Sequence, residues 1–175
     1  MASRTKRPKQ FYPASAYVRY RDGLWIQSRK RVYLYWFKFL QEAERSTTHT
    51  VDWSKYEAWG GRDAVMNSRF DDWWEAHWKV CFGMTERLGT PLHPLSTAQP
   101  KANAYRIALL VYQQRKNVKL KYREIAARIL EIEKGKGTAS ASLSSADSQT
   151  MIRVVNRYIS AASNHLQSVR TGHFP

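Results

Sequence analysis

The sequence predicts a mainly α protein built as two small helical domains. Three observations carry that expectation. Several runs place apolar residues at i, i+3, i+4 and i+7, the spacing of a helix with one buried face. A stretch with little periodicity, residues 85–100, holds Pro91, Pro94 and Pro100 and reads as a linker between domains. The charge is also partitioned. The net charge is +15 with 29 Lys and Arg against 14 Asp and Glu. Residues 1–31 carry net +8, residues 32–100 net −2, residues 101–136 net +7 and residues 137–175 net +2.

In chain order, residues 1–10 form a basic arm with Arg4, Lys6, Arg7 and Lys9. Residues 11–88 form an aromatic-rich helical domain. Its first part, Phe11 to Trp25, interleaves rings with Arg19 and Arg21, and reads as a strand or loop laid over a core, with Asp22-Gly23 as a turn. The alternative use of such a mixture is to stack bases and hold phosphates. Ser28 is placed to cap a helix running to about Arg45, apolar round more than half its circumference through Val32, Tyr33, Trp36, Phe37, Phe39, Leu40 and Ala43. That helix should sit centrally. Asp52 is placed to cap a short helix bearing Trp53, Tyr56 and Trp59, which Gly60-Gly61 ends by allowing positive φ.

Asn67 or Ser68 should cap the next helix, with Asp71 and Asp72 in the first turn where the macrodipole favours them and Gly83 as its stop. Its Phe70, Trp74, His77 or Trp78, and Cys81, with Trp73 extending the stripe, read as core rather than as a docking face. Asp71, Asp72, Glu75 and His77 are poor candidates for metal or acid–base work, because the lone histidine has no second ligand at i+4. Residues 89–100 are the linker and residues 101–175 a basic domain. A helix from Lys101 or Asn103 carries Ala104, Ile107, Ala108, Leu110, Val111 and Tyr112. A second has apolar residues at 122, 125, 126, 129 and 130, and a third has them at 151, 152, 155, 158, 159, 162 and 166, ending at Gly172 with Phe174 free to fold back.

The pattern Tyr122-Arg123-Glu124-Ile125-Ala126, two residues, then Ile129-Leu130 resembles the first helix of helix-turn-helix DNA-binding domains. Thr150 followed by Arg157-Tyr158-Ile159 is similar to a recognition helix, and the ending as a whole resembles phage and mobile-element proteins of that type. The resemblance covers the last third of the chain. It implies a helix-turn-helix-like C-terminal domain with an extended turn, because residues 133–146 intervene where 3–4 residues are usual. An ordinary helical bundle is the alternative.

A field of this size and sign selects a polyanion, nucleic acid before anionic membrane. Under the duplex-DNA reading, Gln149, Arg153, Asn156 and Arg157 face base edges, and Lys119, Lys121, Arg123, Lys134 and Lys136 face phosphates. The chain is expected to be a regulator or accessory factor that assembles with itself or a protein partner through its Trp-rich half. A non-enzymatic subunit coating RNA or single-stranded DNA is the second expectation. A protein-interaction factor directed at a nucleic-acid site is the third.

No catalytic residue, cofactor or metal is expected. Gly60-Gly61 and Gly135-Lys136-Gly137 lack the spacing of a phosphate loop, and the five histidines are scattered. The single cysteine, Cys81, sits among Trp, Val and Phe and reads as an inert buried thiol. With no secretory signal and no apolar run of about 18 residues, the chain reads as cytoplasmic, and nucleoid-associated if bacterial.

Overall fold

A computed structural model describes residues 17–46, 50–85, 91–96, 100–117, 120–133 and 147–174. The architecture is mainly α with one small sheet. Strands β1 (Tyr17–Arg19) and β2 (Leu24–Gln27) pair antiparallel across the expected Asp22–Gly23 turn, with Val18 opposite Ile26. A two-residue strand, β3 (Met84–Thr85), pairs with the other edge of β2. The rings of the hairpin serve packing: Tyr20 lies 4.0 Å from Trp78, and the Arg19 guanidinium covers Trp25 at 5.7 Å.

Helix α1 (Lys30–Glu44) is central, as its apolar circumference requires. Val32, Tyr33, Tyr35, Trp36, Phe37, Phe39, Leu40 and Ala43 are all buried. The cap differs from expectation. Arg29, not Ser28, occupies the N-cap and makes no side-chain cap bond, so the first turn relies on Val32 N–H donating to the Arg29 carbonyl. Asp52 does cap the 3₁₀ segment Trp53–Trp59, accepting from Ser54 N–H. Gly60 ends that segment at φ 78, where a Cβ would sit 2.6 Å from the Ala64 Cβ and 2.7 Å from His77 Nε2. Position and conformation both demand glycine.

Gly61 is not part of a stop. It opens a short helix, α2 (Gly61–Asn67), which the sequence reading did not separate. Helix α3 (Phe70–Cys81) begins after Arg69 rather than at a capping Asn67 or Ser68, and no side chain caps it. Asp71 and Asp72 supply the negative charge in its first turn, and Asp71 also pairs with Lys30 at 2.9 Å. Three helices complete the chain: α4 (Ala102–Asn117), α5 (Tyr122–Glu133) and α6 (Ser148–Val169).

Two cores form. The larger is aromatic: Trp36, Trp59, Trp73, Trp74 and Phe82 stack edge-on and tilted around α1, with ring centroids 4.6–6.2 Å apart. The smaller is aliphatic: Ile107 and Val111 of α4, Ile125, Ala126 and Ile129 of α5, and Val155 of α6. Packing crosses the 89–100 stretch. Tyr105, Ala108 and Leu109 of α4 and Ala162, Leu166 and Val169 of α6 all belong to the aromatic core.

The end of α6 is clamped there. Tyr56 Oη donates to the Val169 carbonyl, Trp36 Nε1 donates to Tyr56 Oη at 3.1 Å, and Arg170 Nε donates to the Thr50 carbonyl at 2.8 Å. Phe174 does fold back, onto the aromatic core rather than the smaller one. It is fully buried, 5.7 Å from Trp36, and its carbonyl accepts from Ser96 N–H and Oγ.

Candidate nucleic-acid interface

The site rests on α5 and α6, held against α4 by the six residues of the aliphatic core. Ala126, 1 % exposed, is the small residue that lets α5 approach its neighbours closely. Lys121 precedes the first turn of α5, and its N–H donates to Glu124 Oε2 at 2.8 Å, half of a capping box. The α4–α5 connection is closed by Arg115, which donates to the Leu120 carbonyl at 3.0 Å and lies 4.7 Å over the Tyr122 ring.

Helix α6 starts where its acidic N-cap requires. Asp147 accepts from Thr150 N–H at 2.7 Å, and that bond, reinforced by nearby Arg153, holds its carboxyl below the usual range. Met151, Ile152, Val154, Val155, Tyr158 and Ile159 form the covered side of the first half of this helix. Gln149, Arg153, Asn156 and Arg157 are exposed, and their spacing places them on one face. Ser160, also exposed, continues the same face.

Of the expected phosphate contacts, Lys121 and Arg123 are exposed on α5. Lys119, Lys134 and Lys136 lie outside the described residues, as does the extended turn 134–146. Arg128 was missed by the sequence reading. It is exposed seven residues after Lys121, a helical spacing that could have found it.

Electrostatics separate this surface from the rest. Among the described residues, the ion pairs within 4 Å are Lys30–Asp71, Arg62–Glu44, Arg62–Asp63 and Lys79–Asp22, all in the first half of the chain. Lys121, Arg123, Arg128, Arg153 and Arg157 have no carboxylate partner within that distance among them. Arg157 does lie over the Tyr158 ring at 5.5 Å. Exposed Glu124 and Glu131 share α5 with these cations, and Arg153 acts on Asp147 from beyond that distance.

Cys81 is buried, donates to the Ala58 carbonyl at 3.1 Å, and burial pushes its thiol far up. His77 stacks on Trp73 with Nδ1 2.9 Å from the Trp73 carbonyl. Among the described residues no group of three His, Cys, Asp or Glu could hold a metal ion, and no helix is long and apolar enough to cross a membrane. No protein-family model matches the chain, and no similar curated protein or solved structure was found.

Proposed function

We propose that the protein binds duplex DNA, with α6 lying in the major groove and α5 beside the phosphate backbone. The observation that carries this reading is the exposed row Gln149, Arg153, Asn156 and Arg157 on α6, with exposed Lys121, Arg123 and Arg128 at α5 that pair with no carboxylate within 4 Å among the described residues. Arg bonds guanine O6 and N7, and Asn bonds adenine N6 and N7, in bidentate geometry, so these side-chain types distinguish base pairs. Lys121 and Arg123 would set register through phosphates without reading sequence. The function is that of a regulator or accessory factor. Because Trp36, Trp59, Trp73, Trp74 and Trp78 are interior, any assembly through the first half would use its outer face, where Val18 and Val80 are exposed.

Duplex binding by a set of variants at several salt concentrations tests the reading. Arg153→Ala should cost about 1–3 kcal/mol on the preferred site and relax base choice there. Arg123→Ala should weaken every sequence alike and lower the salt slope by about one. An equal loss on all duplexes for Arg153→Ala would make α6 a phosphate contact and move the single-strand or RNA coat reading ahead.

A further inference from the structure

We propose that the seam between α1 and α4 is a second anion site, which takes a phosphate ester of about mononucleotide size. A cleft of about 320 Å³ opens there, and three of its lining side chains are cations: Lys38, Arg45 and Arg106. Gln41 and Gln113 add amides to the wall. The spacing explains the convergence. Lys38, Gln41 and Arg45 follow one another at three and four residues along α1 and its C-cap, and Arg106, Leu110 and Gln113 do so along α4. Helix α1 therefore turns a polar row to the seam and α4 adds Arg106 and Gln113 on either side of Leu110, over a floor that includes buried Leu109 and Tyr35.

Among the described residues, none that lines the cleft is a carboxylate. Neighbouring Glu42 is 4 % exposed and accepts from Gln113 Nε2 at 2.8 Å, while Gln41 donates to the Val65 carbonyl at 2.8 Å. The glutamines are thus fixed by the fold. The three cations make no ion pair within 4 Å with any described residue. Gathering like charges is unfavourable unless an anion enters, and two guanidiniums with an ammonium suit a phosphate, which accepts from both kinds of donor. The volume lies at the lower end of small-molecule sites, about 300–1,000 Å³, and leaves room for more than a bare phosphate. No residue of α5 or α6 lines the cleft, so the inference is independent of the α6 reading.

The phosphate could belong to a free mononucleotide or to a polynucleotide backbone. Calorimetric titration of the full chain with AMP, adenosine and duplex DNA separates them. The comparison variant is Lys38→Gln with Arg106→Gln, which removes two exposed charges and keeps most of each stem. Its thermal unfolding should match wild type, and Arg153→Ala serves as the control. A free ligand predicts saturable AMP binding, none with adenosine, at least a tenfold loss in the double variant and no change in Arg153→Ala. A backbone phosphate predicts instead that the double variant lowers the duplex salt slope by about two. Adenosine binding equal to AMP overturns the proposal, as does a double variant that alters neither AMP nor duplex binding. A wild-type chain that binds AMP but no duplex sinks the proposed function and leaves this site standing.

Discussion

The aromatic core around α1 and the aliphatic core beneath α5 differ in what they leave on the surface. The first packs large rings from nearly every element, and ion pairs lie on its surface: Asp22 with Lys79, Glu44 with Arg62, Asp71 with Lys30. The second consists of six modest side chains, and the helices over it carry unmatched Lys and Arg. The small interior does little more than hold α5 and α6 against α4. Helix α6 belongs to both, its first half to the aliphatic core and its second to the aromatic one.

That contrast breaks first at Trp36. Its ring is fully buried and its Nε1 holds Tyr56, which in turn holds the end of α6. Trp36→Ala should cost about 3–5 kcal/mol in denaturant unfolding, and duplex binding should fall with it because α6 loses its anchor. Ile129→Ala should lie toward the lower part of the range of about 2–5 kcal/mol, since a small core collapses more readily around a void. All seven tryptophans precede residue 79, so their fluorescence follows the aromatic core alone. Ile129→Ala should reduce duplex binding while shifting the fluorescence midpoint less than Trp36→Ala does. Equal shifts would mean that the two cores are one energetic unit.

Acid should act on the aromatic core with a smaller effect. Burial lowers His93 and His165 to about 4, His93 with a further contribution from His173, from an ordinary value of 6.5. His93 stacks on Tyr56, and His165 meets Phe39 and Tyr105 edge-on. Because the folded values are depressed, the unfolded chain binds more protons between them. This contribution to stability is complete above about pH 6.5, is lost as pH falls toward about 4, and levels off below. The lowered carboxylates, Asp22, Glu44, Asp52 and Asp147, lose theirs only at lower pH. The melting temperature should therefore drop by a few degrees between pH 6.5 and 4.5. A His93→Gln, His165→Gln variant with the same drop would place the acid sensitivity elsewhere.

Much of this was legible from spacing. The apolar circumference of α1, the covered stripe of α6 and the Asp52 cap follow from residue type and helical period, whereas the Asp147 cap was not anticipated. Caps at Ser28, Asn67 and Ser68 did not materialise, because a side chain that can cap does so only where the backbone turns, and the turns came at Arg29 and Arg69. Gly61 illustrates the same limit: positive φ permits a stop and equally a start. The stripe on α6 announced burial without naming the partner, so its insertion among Trp36, Tyr56 and Phe39 was invisible. The α1–α4 cleft was invisible for the same reason. Arg45 and Arg106 become neighbours only when two distant helices pack, and each alone reads as a solvated charge.

The union of Tyr56 with Val169 also sets a schedule. The two residues lie 113 positions apart. At about 5–20 residues per second, a ribosome makes the second roughly 6–23 s after the first. Through that interval α1 has been synthesised without the helix that covers Trp36 and Phe39. The nascent chain thus presents its stickiest rings until residues 162–174 cover them, and removing that segment should lower yield in the cell.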